Sequence, residues 1–166
     1  MTRKGVWCWP LAGVVAAADF TSKQIAEQAL QPKHVPHDIV GDVLRFTLTY
    51  NTGAAFSMSL GAYSRWGFTL LALVVLVVLF RTYQSAEDGD AWQGAALGLV
   101  TGGAIGNLID RLRHSAGVVD FIDVGIGDTR FWTFNVADMG VTVGATMLAL
   151  VMLRRPHPTA STERVL

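Results

Sequence analysis

Charge is what this chain has least of. Only 16% of its 166 residues are Asp, Glu, Lys or Arg, against roughly 25% in an ordinary soluble domain. What charge there is cancels, with 13 basic residues against 13 acidic ones. No net positive field is therefore available to attract nucleic acid, and a nucleic-acid partner is not expected. Cysteine is nearly absent too. A lone Cys8 excludes an internal disulfide and a thiolate cluster for zinc or iron-sulfur, and in an apolar run it reads as a small packing residue. His34, His37, His114 and His157 show no metal-ligand spacing, and the first two lie in a Pro-bounded loop where histidines are normally solvated. Neither a metal nor an organic cofactor is expected. In place of charge the chain has apolar mass, 51% hydrophobic residues before its 17 glycines are counted, and that balance points to lipid.

A spanning helix needs about 20 mostly apolar residues. Four stretches approach this, at about 6–25, 63–83, 91–109 and 136–153, within one domain covering 1–166. In the second, Trp66 to Phe80 is uncharged and rich in Leu and Val, with Arg65 and Arg81 placed to snorkel to the interface. The third carries Gly94, Gly98, Gly102 and Gly106, four apart, a flat stripe along which a neighbouring helix can approach closely. Asp110 is the next position on that stripe, so this helix should aim a carboxylate inward. The fourth repeats the spacing with Gly140 and Gly144 and has Asp138 in its first turn. The first carries Asp19 and Lys23 at the i, i+4 spacing of a helical ion pair. An alternative reads Arg3, Lys4, the apolar run and Ala16-Ala17-Ala18 as a cleavable signal peptide. With four spans both termini share one side, yet the basic residues divide almost evenly between the two sides, so charge bias does not choose an orientation. The acidic run Glu87, Asp88, Asp90 reads as a solvated turn, and the tail from Pro156 as short and polar.

Two regions read as β structure on one side of the membrane. Over about 42–51, Leu44, Phe46, Leu48 and Tyr50 alternate with Arg45, Thr47 and Thr49, the pattern of a half-buried strand. Over about 118–134, β-forming residues flank the turn Gly125-Ile126-Gly127-Asp128, with Phe131 and Trp132 as interfacial anchors. Taking both termini as cytoplasmic, the fold class is an all-α membrane protein: a four-transmembrane-helix bundle with a small extracytoplasmic β-sheet region on the membrane surface.

Asp110, Asp120, Asp123 and Asp138 gather where the third and fourth spans meet that side. Two carboxyls held close in a poorly solvated place cannot both ionise easily, so one keeps a proton while the other is charged. Such a pair can activate water and polarise a carbonyl. The residues alone do not say which two meet; any of them can instead pair with Arg111, Arg113 or Arg130 or cap a helix. Asp123 reads as a surface charge. Rival readings are an ion or proton path, because intramembrane charges also mark transporters, a non-catalytic scaffold, and a serine protease using Ser57 or Ser59 with Lys23.

Five ordered segments narrow the choice: Asp19-Phe20-Thr21-Ser22-Lys23; Asn51-Thr52-Gly53-Ala54-Ala55-Phe56; Gly102-Gly103-Ala104-Ile105-Gly106-Asn107-Leu108-Ile109-Asp110-Arg111; Val118-Val119-Asp120-Phe121; and Phe134-Asn135-Val136-Ala137-Asp138. In this order, over nearly the whole chain, they resemble the lipoprotein signal peptidases, or signal peptidase II family. The resemblance implies an aspartic endopeptidase of the bacterial cytoplasmic membrane. It would remove the signal peptide of prolipoproteins before a cysteine carrying diacylglycerol, as a monomeric enzyme in contact with membrane lipid, with no cofactor. Both termini would be cytoplasmic and the site extracytoplasmic, and cyclic peptides such as globomycin would inhibit it. The family's catalytic pair falls on Asp120 and Asp138. Asp19, Lys23, Asn51, Gly53, Asn107, Asp110, Arg111 and Asn135 fall on its binding and supporting positions, of which Asp19 with Lys23 and Asp110 with Arg111 can equally be structural ion pairs. Phe20 departs from the family wording, which commonly has a polar residue there. A substrate clamp under the 42–51 strand is expected to use Phe46 and Leu48.

Overall fold

The computed structural model describes residues 2–53 and 61–154. Ala54, Ala55 and Phe56 of the Asn51 segment, Ser57, Ser59 and the tail with Pro156 and His157 lie outside the described residues. The chain forms helix α1 (Arg3–Ala29), strands β1 (His37–Val40) and β2 (Leu44–Asn51), helices α2 (Ser64–Ser85) and α3 (Ala91–Arg113), strands β3 (Val118–Ile126) and β4 (Thr129–Arg130), and helix α4 (Val136–Arg154). It is mostly helical, with one small antiparallel sheet in the order β1-β2-β3-β4.

Small residues decide how the helices pack. A Cβ built on Gly94, Gly98 or Gly102 would lie 2.6, 2.5 or 2.6 Å from the carbonyl oxygens of Lys4, Cys8 and Ala12. The stripe of α3 therefore runs along α1 in the same direction, backbone against backbone, as small-residue stripes permit. The opposite face of α3 meets α4 in the reverse direction: a Cβ on Gly140 would lie 3.2 Å from the Leu99 oxygen, and one on Gly144 2.8 Å from that of Ala96. Helix α2 is held more loosely, with Ser64, Thr69 and Leu79 its buried residues. Its Leu70, Leu71, Val74, Val77 and Val78 are exposed, as are Val143, Met152 and Leu153 of α4. An exterior this apolar needs lipid around it. Helices α2 and α4 are each long and apolar enough to cross a membrane, with mean hydropathy 1.9. The charges of α1 and the glycine and polar content of α3 dilute theirs.

At the end of the bundle away from the sheet, the acidic turn is more than solvated. Lys4 Nζ pairs with Asp88 at 3.1 Å and donates to the Ala86 carbonyl, while Asp90 caps α3 by accepting from the Gln93 amide at 2.8 Å. The loop expected around His34 and His37 also differs: His37 begins β1, opposite Phe46 on β2. Local polarity hid this strand, because only pairing with β2 gives it a ladder.

Candidate active site

Asp120 sits within β3 and Asp138 in the first turn of α4, so two elements must converge to bring their carboxyls together. Asn135 joins them. Fully buried, it donates from Nδ2 to Asp120 Oδ1 at 2.6 Å and to the Val119 carbonyl at 3.2 Å. Its Oδ1 accepts from the Asp138 amide at 2.9 Å, and its own amide donates to Asp138 Oδ2 at 3.2 Å. This reciprocal pair is a capping box with Asn at the cap and Asp three residues on. The start of α4 thus fixes one carboxyl directly and holds the other through a single side chain.

A second layer lies behind the pair. Asn107 Nδ2 donates to Asp138 Oδ1 at 2.8 Å, and Asn107 Oδ1 accepts from Lys23 Nζ at 2.9 Å. Lys23, 1% exposed, also pairs with Asp19 at 2.7 Å and Asp110 at 2.8 Å. The two carboxylates hold the surrounding backbone in turn: Asp19 Oδ1 accepts from the Ala137 amide at 2.8 Å and Asp110 Oδ2 from the Val119 amide at 3.0 Å. Of the expected ion pairs, Asp19 with Lys23 forms, whereas Asp110 chooses Lys23 over Arg111. Arg111 is left to donate to the Gly53 carbonyl at 3.3 Å and the Asn107 carbonyl at 3.2 Å. Phe20, the departure from the family wording, lies under the Arg113 guanidinium, 4.7 Å from ring centroid to charge.

The sheet supplies the remaining wall through an irregularity. Phe46 pairs with Ile122 but Thr49 pairs with Asp120, so β2 has one more residue than β3 between these points. This bulge breaks the expected uninterrupted alternation. Thr49 lies opposite Asp120 with its hydroxyl 3.5 Å from the Asp120 carbonyl, and Asn51 follows two residues on. Leu48 is fully buried in a cluster with Val119 and Phe121. Leu48 is therefore a core residue and not half of a substrate clamp. Asn51 Oδ1 accepts from the Gly53 amide at 3.0 Å, and its side chain also hydrogen-bonds Asp120.

Burial raises the Asp120 carboxyl most, and the negative charge of Asp138 raises it further. Hydrogen bonds from Asn135 and Asn51 and the charge of Lys23 pull the other way, and the balance stands at about 7. The raised value lets this carboxyl hold a proton near neutral pH. An acid and a base can therefore coexist in the pair.

Asp123 is not a surface charge. It is buried, paired with Arg130 at 2.9 Å and reached by the Thr47 hydroxyl at 3.3 Å, because the β3–β4 hairpin folds Arg130 back over it. Arg65 does not simply snorkel: its guanidinium donates to the Arg111 and Leu112 carbonyls at 2.7 and 2.9 Å. Glu27, Tyr50 and His114 were also unanticipated as a group. Tyr50 donates to Glu27 at 2.7 Å, with His114 Nδ1 at 3.7 Å from the same oxygen; burial and then this hydrogen bond push the Tyr50 hydroxyl up to about 12. No local pattern signals contacts between residues so far apart. Among the described residues, no group of three or more His, Cys, Asp or Glu could hold a metal ion.

A family described as signal peptidase (SPase) II matches residues 11–154. The chain is 41% identical to a lipoprotein signal peptidase of Coxiella burnetii, over 94% of this chain and 97% of the relative. It is 44% identical to one from Pseudomonas syringae pv. tomato, over 89% and 86%. A solved structure described as a bacterial membrane enzyme obtained by the in meso method superposes with a TM-score of 0.76 at 27% identity, covering 88% of this chain and 92% of that one.

Proposed function

The chain belongs to the signal peptidase II family, and from that premise we propose that it is an aspartic endopeptidase that cleaves diacylglyceryl-modified prolipoproteins before the modified cysteine, using Asp120 and Asp138. Family membership makes it a membrane peptidase that removes signal peptides from prolipoproteins. The observation that carries the finer reading is the one buried asparagine, Asn135, hydrogen-bonded to both carboxyls. A water held between them is itself the nucleophile, so no enzyme side chain need attack the peptide. Asp138, accepting hydrogen bonds on both oxygens, takes a proton from the water as it adds to the scissile carbonyl. Asp120, with its raised affinity for a proton, hydrogen-bonds the developing oxyanion. The proton taken by Asp138 then passes to the leaving amine as the tetrahedral intermediate collapses, with no covalent intermediate.

The remaining residues take supporting roles. Asn51, Asn107, Arg111 and Asn135 contact substrate backbone or hold the pair, since amides and a guanidinium satisfy peptide groups where water is scarce. Asp19, Lys23 and Asp110 lock α1, α3 and β3 beneath them, and Gly53 offers its carbonyl to Arg111. All four helices cross the membrane, α1 and α3 in one sense and α2 and α4 in the other. Both termini are then cytoplasmic, and the sheet rests on the outer surface of the bacterial cytoplasmic membrane. The lipid of the substrate remains in the bilayer while the peptide extends beneath the sheet, where globomycin would compete with it. The enzyme acts as a monomer.

The test is cleavage of a diacylglyceryl-modified prolipoprotein and its unmodified twin by purified wild type, Asp120→Asn and Asp138→Asn. Lipid-dependent cleavage lost in both folded variants is expected. Full activity in either variant refutes the pair, and equal cleavage of the unmodified twin refutes the lipid requirement.

A further inference from the structure

We propose that Arg65, at the start of α2, is a positioning residue for the reaction: it fixes the last turn of α3 so that the Arg111 guanidinium is held at the site. This rests on the reading of Arg111 as a substrate-binding residue.

Arg111 is the final-turn residue of α3 that reaches across to the Gly53 carbonyl. The carbonyls of a helix's last turn have no partners within the helix and require donors from outside. Two of these, on Arg111 itself and on Leu112, accept from the forked guanidinium of Arg65, from Nε at 2.7 Å and Nη2 at 2.9 Å. A fork engaging two adjacent carbonyls restricts rotation as well as distance, which a single ammonium cannot do. One turn along, on the same face of α2, Phe68 lies with its ring centroid 6.0 Å from the Arg111 guanidinium, at the i, i+3 spacing from Arg65 that makes neighbours on a helix surface. Helix α2 therefore grips Arg111 twice, by its carbonyl and by its charged group.

The placement is selective. Along its length α2 presents mostly exposed Leu and Val, and an apolar contact in lipid gains little over contact with lipid tails. At the end that carries Arg111, by contrast, α2 makes a two-pronged polar tie to α3. Trp66, mostly exposed, lies 5.1 Å beneath the Arg65 guanidinium, and the Thr69 hydroxyl donates to the Arg65 carbonyl at 2.7 Å, so the gripping residue is itself held. A charged side chain at this depth that only had to reach water would not need two carbonyl acceptors.

The experiment uses the full-length chain in detergent with a diacylglyceryl-modified prolipoprotein, comparing wild type, R65Q, R111Q and the double variant, with thermal stability recorded for each. R65Q and R111Q are each expected to raise KM about tenfold with kcat little changed, the signature of lost binding. The double variant should be no worse than R111Q alone, because Arg65 acts through Arg111. R65K, which keeps the charge but loses the fork, should fall between wild type and R65Q; it serves as the readout if R65Q does not fold. A KM of wild-type size in R65K and R65Q with R111Q impaired overturns the inference, as do losses that multiply in the double variant. A wild-type KM in R111Q overturns the substrate role of Arg111, and this inference with it, and is recognised by the R111Q measurement alone.

Discussion

Asp120→Asn should make the protein less sensitive to alkali while abolishing its activity. The Asp120 carboxyl stands at about 7 in the folded protein against an ordinary value of 3.8, chiefly through burial and then through the charge of Asp138. Because its folded value is raised, the folded state binds the proton more tightly than the unfolded chain does. The stability this contributes is fully present below the unfolded value and is lost as pH rises through the folded one. Between about pH 5 and about pH 8, linkage gives a loss of roughly 2–3 kcal/mol from this group. Asparagine has nearly the same shape, keeps an oxygen to accept from Asn135 Nδ2, and does not titrate. Unfolding midpoints of wild type and variant, followed in detergent across that range, report the effect of Asp120 and its coupling to Asp138, since titrating groups not coupled to this pair cancel in the difference. The gap should widen in favour of the variant by roughly 5–10 °C, at about 2–4 °C per kcal/mol for a chain of this size. Asp138→Asn provides a second arm. It removes the second cause but not burial, so part of the pH dependence should remain. A gap that stays constant from pH 5 to pH 8, within a degree or so, would refute the assignment of a proton to Asp120.

Lys23→Met should strip Asp19 and Asp110 of their shared cation and Asn107 of a donor, destabilising the fold by about 3–5 kcal/mol as breaking a buried ionic cluster does; a thermal midpoint close to wild type would contradict the role given to this cluster. Leu48→Ala, at a fully buried position among Val119 and Phe121, should cost about 2–5 kcal/mol of stability and leave KM unchanged in the folded fraction. Unaltered stability with a raised KM would instead return Leu48 to the substrate groove.

What could be read from the sequence was what is local. Glycines four apart announce a close helical neighbour without naming it, and α1 proves to lie along that stripe. The Asn135 and Asp138 pair is a capping box, a purely local device, so its position at a helix start is written in three residues' spacing. The turn between β3 and β4 is equally local, with Gly127 at a φ of +56°. The failures are all long-range. The bulge at Thr47 and Leu48 depends on how β2 meets β3, and one extra residue there exchanges the faces of Leu48 and Thr49. Asp123 reads as surface until Arg130 is folded onto it. Arg65 reads as an interfacial anchor until the end of α3 arrives with two unpaired carbonyls.

The polar residues also differ in depth, and that difference separates support from chemistry. Asp19, Lys23 and Asp110 are 0%, 1% and 3% exposed, and each of them is tied to backbone or side chains of another element. A cluster this deeply buried and tied to several elements is suited to fixing α1, α3 and β3 relative to α4. Asn51, Asn107, Arg111 and Asp138 are only half-buried and lie on the sheet side of that cluster. Had Asp110 paired with its neighbour Arg111, the guanidinium would have been drawn into the buried layer and Lys23 would have faced Asp19 alone. Pairing Asp110 with Lys23 instead balances the deep layer with one cation between two carboxylates and leaves Arg111 as the cation at the rim, beside the carboxyl pair and next to the Gly53 carbonyl. The choice made by one buried aspartate thus determines which positive charge is available to an incoming peptide.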